Sequence, residues 1–153
     1  GGVPLLFLDL DVDPSTAEIA WAGRVLDAFP QRLVIISTHK FLTKAGARFS
    51  AAQALWNTLV YPKKSGACRK ILMILSGHDP GEGSRTDHNA CGNPVHQLRS
   101  DYQSRPGGGD GWLRILTFHP TTNRLDVRTY SPTVRRYETD SDSQFTLAVP
   151  LGG

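Results

Sequence analysis

Two histidines stand at matched places in this chain. His39 follows the apolar run Leu33–Ser37 by two residues, and His78 follows the run Ile71–Ser76 by two. Neutral imidazole is the commonest side-chain metal ligand near neutral pH. In open α/β sheets ligands bind outside the carboxyl ends of the strands. If the two runs are parallel neighbouring strands, both imidazoles project into one crevice and can share one metal ion, or one water. Each ring's second nitrogen is then expected to donate to a carbonyl or carboxylate. The plainer alternative is that each histidine caps a strand end against a loop carbonyl.

The segment after His78 reads Asp79-Pro80-Gly81-Glu82-Gly83-Ser84-Arg85-Thr86-Asp87. Gly81 and Gly83 let backbone approach a ligand, and the Arg85 fork suits phosphate oxygens; a solvated turn is the competing reading. It is neither G-x-G-x-x-G nor a P-loop, which needs a Lys-Ser/Thr pair. His88, Cys91 and His96, with His78 upstream, suggest zinc by type but match no standard zinc spacing. No G-x-S-x-G elbow or H-E-x-x-H helix occurs. Gly107-Gly108-Gly109-Asp110-Gly111 reads as a sharp turn or as backbone packed against a neighbour, with Asp110 a turn former. Asp101-Tyr102-Gln103 is open to the same two readings, ligand or turn. Trp21, Trp56 and Trp112 are expected in the core, since none belongs to an aromatic-basic stripe.

These residues need elements to position them. Leu5–Leu8, Leu33–Ile36 and Ile71–Leu75 are continuous aliphatic runs, the pattern of strands covered on both faces. Between the first two, Ser15 and Glu18 have capping-box spacing, Ile19, Ala22, Leu26 and Phe29 share a helical face, and Pro30 closes the element. Ser50 and Gln53 repeat that spacing, with Ala51, Leu55 and Leu59 following until Pro62. The spacing predicts β-α-β-α-β over residues 3–80, a parallel three-stranded unit made by right-handed crossovers. Residues 81–111 read as a long site loop with one strand near Val95–Tyr102. Antiparallel strands follow over 112–151, at Trp112–His119, Arg124–Tyr130 and Phe145–Val149. The fold class is α/β in its first half and α+β overall, in a single domain.

Composition narrows the field. The chain has 153 residues, 17 basic and 14 acidic, for a formal net charge of +3. That balance, with no basic cluster beyond Arg135-Arg136, does not argue for nucleic acid or an anionic membrane as partner. No run reaches the roughly 18 apolar residues of a membrane span, and the start Gly1-Gly2-Val3-Pro4 shows no basic n-region. Cys68 and Cys91 allow at most one bridge, which leaves the redox compartment open.

Taken together, the pattern resembles the C-terminal half of the calcineurin-like metallophosphoesterases. Val34-Ile35-Ile36-Ser37-Thr38-His39 resembles the family's late strand ending in a metal-ligating histidine. Leu75-Ser76-Gly77-His78 resembles the start of its Gly-His-x-His motif. The segments 81–87, 95–103, 108–114, 128–132 and 138–145 resemble a bacterial branch of the family, so the likeness runs from about Leu5 to Leu151. The resemblance implies phosphoester hydrolysis at a pair of divalent ions (Zn, Mn or Fe) that activate a hydroxide and clamp the attacking and leaving oxygens.

It also implies half of a two-sheet sandwich, with His39 and His78 as ligands to one of the two ions. Asp79 would be a substitute oxygen ligand, offset by one residue, because Pro80 stands where the second histidine of the motif belongs. Arg85 would be the phosphate contact that its guanidinium fork suits. The family's early motifs, Asp-x-His, Gly-Asp-x-x-Asp and Gly-Asn-His-Asp/Glu, belong N-terminal to Leu5. An N-terminal half would therefore be the partner, this segment alone would hold at most one ion weakly, and its activity alone would be low. The branch's frequent export leans the same way for this chain. The rival expectation is a non-catalytic binding or structural module that keeps the shell of the fold.

Overall fold

The structure, a computed structural model, describes residues 2–151. Its first sheet has the order β1 (Leu5–Leu10), β2 (Leu33–Thr38), β3 (Ile71–Ser76), β5 (Pro94–Asp101), β4 (Gly81–His88). The first four of these are mutually parallel, and β4 runs antiparallel to β5 as the far edge. The second sheet is antiparallel: β6 (Leu113–His119), β7 (Arg124–Ser131), and then β8 (Arg136–Glu138) and β9 (Gln144–Ala148), which share the other edge of β7. The α+β architecture is thus as expected, with parallel strands first and antiparallel strands later.

Helix α1 (Thr16–Ala28) begins where Ser15 Oγ accepts the Glu18 amide at 3.2 Å. Glu18 completes no reciprocal box: its carboxylate accepts from the Asp11 amide at 2.7 Å and ties the helix to the end of β1. The second capping box fails. Helix α2 (Ser50–Leu55) is preceded by Phe49 as its cap, without a side-chain cap bond. Phe49 N donates to Phe41 O, and the Gln53 amide is taken by Arg48 and Asn57, so nothing is left to reach back to Ser50. The helix then widens into a π-helical turn, Trp56–Val60.

The helices cover one face of the first sheet, packing Ile19, Ala22, Leu26, Leu55 and Leu59 on Leu8, Val34, Ile36 and Ile74. The second sheet covers the other, with Leu125 and Val127 against Ile35, Leu72, Met73 and Leu98. The chain's own antiparallel strands therefore supply the second layer of the sandwich over β2, β3 and β5. The expectation that a missing half supplies it needs correcting there. The expectation that the Leu5 run is covered on both faces needs correcting too, since β1 is an edge strand and Phe7 is 59% exposed. Trp56 and Trp112 are buried, but Trp21 and Phe29 are exposed, the first because it lies off the Ile19–Ala22–Leu26 stripe and the second because it caps the helix end.

Residues 81–88 are not loop but the edge strand β4. Its side chains are nearly all polar because polar networks occupy both of its faces, so no apolar alternation marks it. Cys68 and Cys91 form a disulfide, Cα–Cα 6.0 Å, which ties the strand-entry loop of β3 to the β4–β5 turn. No helix among the described residues is long and apolar enough to cross a membrane.

Candidate functional site

The register between β2 and β3 slips by one residue: Val34 faces Ile71, but Ile35 faces Met73. Leu72 and Met73 consequently both turn toward the second sheet. Such a slip inverts the facing of everything after it, and it sets how β3 delivers its C-terminal end. There the chain makes a three-residue turn, with Asp79 N donating to Gly77 O and His78 at φ 69°. A hydrogen-bonded turn of this kind with positive φ at its centre is rare and strained. Gly77 N donates to His39 O at 3.0 Å, which locks the two histidine-bearing segments together.

His39 and His78 accordingly come together. Their ring centroids are 5.1 Å apart in an edge arrangement, and Phe49 lies edge-on to His78 at 5.6 Å. Both side chains are exposed and line a cleft of about 380 Å³ outside the carboxyl ends of β2, β3 and β5. Neither imidazole bonds a carbonyl or carboxylate among the described residues. That part of the expectation is corrected: the strand ends open to water here, and ring packing orients His78.

Two further residues go elsewhere. Asp79 accepts from the Lys44 amide at 2.7 Å, holding the loop after β2, and does not line the cleft. Odd-numbered residues of β4 face the helix layer, so Arg85 meets Asp87 at 2.6 Å and Gly46 O at 3.1 Å, again outside the cleft lining. Arg48 joins them, bonded to Asp87 and Gln97 with its guanidinium 3.7 Å from the Trp56 ring centroid. These bonds hold the Asp87 carboxyl below its ordinary value of 3.8 despite the opposing effect of burial.

The zinc arrangement does not form either. Cys91 is in the disulfide, and buried His96 is fixed between Thr86 Oγ1 and Ala148 O, 2.9 Å from each. Its Nε2–H must donate to that carbonyl, so Nδ1 is the acceptor from Thr86. Burial keeps this imidazole neutral, with its pKa below 6.5. Among the described residues no group of three or more His, Cys, Asp or Glu side chains is placed to hold a metal ion.

The other wall of the cleft is built from residues that the sequence left open between a ligand role and a turn. It consists of Ser100, Asp101, Tyr102 and Gln103 from the end of β5, then Gly108, Gly109, Gly111 and Trp112. Residues 107 to 111 all have positive φ, one left-handed turn. Here glycine is required: a Cβ on Gly109 would lie 2.9 Å from Tyr102 O, and one on Gly111 2.5 Å from Thr133 Oγ1. The sequence signal was present as the Gly-rich run, but not what it packs against.

Behind this wall sits a second polar assembly. The Glu82 carboxylate, 4% exposed, accepts from Tyr102 Oη and Arg114 Nη2 at 2.5 Å and from the hydroxyls of Thr129 and Ser143. Ser143 also reaches Glu138 and Asp140, and Arg105 pairs with Glu138 at 2.7 Å. Burial pushes the Glu82 carboxyl up, but the three hydroxyl bonds and the Arg114 charge outweigh it and hold the pKa below 4.5. Tyr102 is raised above 10.0 by burial and by that carboxylate. Most segments that suggested a site by resemblance thus meet in one buried knot joining the two sheets.

No protein-family model matches this chain. An uncharacterized protein of Bacillus subtilis (strain 168), YvnB, is 34% identical over 146 residues, which take in 88% of this chain. The chain spans only 11% of that protein's length.

Proposed function

We propose that this chain carries part of a metal-dependent phosphoesterase site, in which His39 and His78 ligate one divalent ion and an N-terminal segment supplies the remaining ligands. The observation that carries the reading is the pair of exposed imidazoles, 5.1 Å apart, at the ends of adjacent parallel strands and in one cleft. Two nitrogen donors not engaged by carbonyls or carboxylates fit one Zn, Mn or Fe ion in part. They do not fit a pair of ions, since no third ligating side chain joins them among the described residues. Bound divalent ions would supply Lewis acidity and a water acidic enough to ionise near neutral pH. The chain's own residues orient the two imidazoles, through the Gly77–His39 backbone bond and the Phe49 contact.

Calorimetric titration with zinc or manganese tests this. Wild type is expected to take up one ion, with His39→Ala and His78→Ala each at least about tenfold weaker. The 153-residue chain by itself should hydrolyse model phosphoesters near background. Adding the N-terminal segment should restore turnover, and Pro80→His should raise it further. Metal binding by both variants as tight as that of wild type, or strong turnover by the chain alone, would overturn the assignment. A second reading, a non-catalytic module, is favoured by Asp79 being committed to Lys44; failure of reconstitution with intact metal uptake would select it.

A further inference from the structure

Asp101 is the unexplained carboxylate of the cleft. It is 9% exposed and lines the same cavity as His39 and His78, yet among the described residues no cation pairs with it. Its donors are both from Gln103: the backbone amide to Oδ1 at 3.1 Å and the side-chain amide to Oδ2 at 3.2 Å. An ionised carboxylate has about four acceptor positions, so each oxygen retains one after Gln103 is satisfied. Leaving a buried carboxylate short of donors is costly. Asp101 neither bonds to an imidazole nor joins a three-ligand group, so it serves neither as a ligand nor as an orienting partner of the histidines.

What the cleft then lacks is a donor carried by a ligand. A phosphoryl group is repelled by Asp101 and belongs on the histidine side. The wall that carries Asp101 also includes exposed, side-chain-free backbone at Gly108, where a Cβ would meet nothing within 4 Å. That wall offers an acceptor next to exposed peptide groups, and a hydroxyl, which both donates and accepts, matches it better than an ammonium, which only donates. Resting on the phosphoesterase reading above, we propose that Asp101, held by Gln103, recognises hydroxyls of the alcohol portion of the substrate. The site would then take phosphoesters of polyols or sugars in preference to aryl or amino-alkyl phosphates. Asp101 is a specificity residue here, and Gln103 is its positioning residue.

The test is an NMR titration of the 153-residue chain, with zinc present, using glycerol phosphate, phosphoethanolamine and phenyl phosphate. The signals followed are the Gln103 and Gly108 amides, the Trp112 indole and the two histidine rings. Glycerol phosphate is expected to bind about tenfold more tightly than phenyl phosphate, the ratio one hydrogen bond to a charged group provides. Asp101→Asn keeps the acceptor for the Gln103 amide and should erase that preference, with phenyl phosphate bound at least as tightly as by wild type. Gln103→Ala should reduce it in part, and serves alone if Asp101→Asn does not fold. Equal binding of all three probes, preference for phosphoethanolamine, no binding of any probe, or a preference that survives both substitutions would overturn the proposal. The same spectra judge the metal reading separately. If zinc leaves the His39 and His78 rings unmoved while the polyol preference holds, the phosphoesterase reading falls and the Asp101 site stands.

Discussion

The His39–His78 cleft and the Glu82 knot lie at the same end of the sandwich and treat polar groups in opposite ways. In the knot, a buried carboxylate on β4 is met by three hydroxyls and an arginine, from the residue after β5, from β6 and β7, and from the turn before β9. In the cleft, two imidazoles lie exposed with ring contacts alone, one of them in a strained turn, and a buried carboxylate has donors from a single neighbour. Saturated networks stabilise and specify a fold, whereas strain and unmet bonding capacity collect where a ligand is to be held. Polar residues of similar type thus sort into scaffold and site by how completely they are satisfied.

The largest break in this contrast should come from Glu82→Ala. It strands Arg114 in the interior and is expected to cost about 3–5 kcal/mol in urea unfolding, whereas His39→Ala on the open side should stay within about 0.5 kcal/mol. Acid should act on the knot by the same route. Because the folded Glu82 pKa lies below its ordinary 4.5, its stabilisation is complete above that value and is lost as pH falls through the folded pKa. Urea midpoints measured from pH 6 downward should drop for wild type and drop less steeply for Glu82→Gln.

Opening the disulfide comes next. Cys68 and Cys91 are 23 residues apart, and closing a loop of that size is worth about 3 kcal/mol. Thermal unfolding with and without reductant measures it, and the metal uptake proposed for the cleft should be unaffected because neither cysteine lines it. Gly109→Ala is smaller but strikes the cleft wall directly. Its Cβ would press on Tyr102 O from a left-handed backbone, for a cost of about 2 kcal/mol. If that variant is as stable as wild type, the wall is softer than the contrast requires. The smallest effect runs the other way. His78→Gly relieves the positive φ and should gain up to about 1 kcal/mol while weakening zinc uptake, a gain in stability at the expense of the site.

Much of the framework was legible because its signals are local. The aliphatic runs at 5, 33 and 71, the helical stripe closed by Pro30, and the alternation from 124 to 130 each report element type within a few residues of chain. The matched offsets of His39 and His78 were legible for the same reason, since strand ends and the residues just past them are set by the runs themselves. Where long-range contacts decide, local pattern misled. Arg85 sits in a Gly-rich, polar stretch that invites a phosphate, but edge pairing to β5 makes it a strand and turns its side chain to Asp87.

What the sequence by itself determined is therefore the order and type of most elements, the two histidines as a pair, and the glycines of 107–111 as a sharp turn or a close backbone approach. Only the tertiary structure decided that β4 is an edge strand, that Glu82 is the centre of a knot, that Asp79 and Arg85 serve loops and neighbours, and that Asp101 lines the same cleft as the histidines. The physical reason is the same in each case. Whether a polar side chain becomes scaffold or site depends on which donors arrive from other strands, and that is fixed by pairing register and sheet stacking, neither of which is written in neighbouring residues.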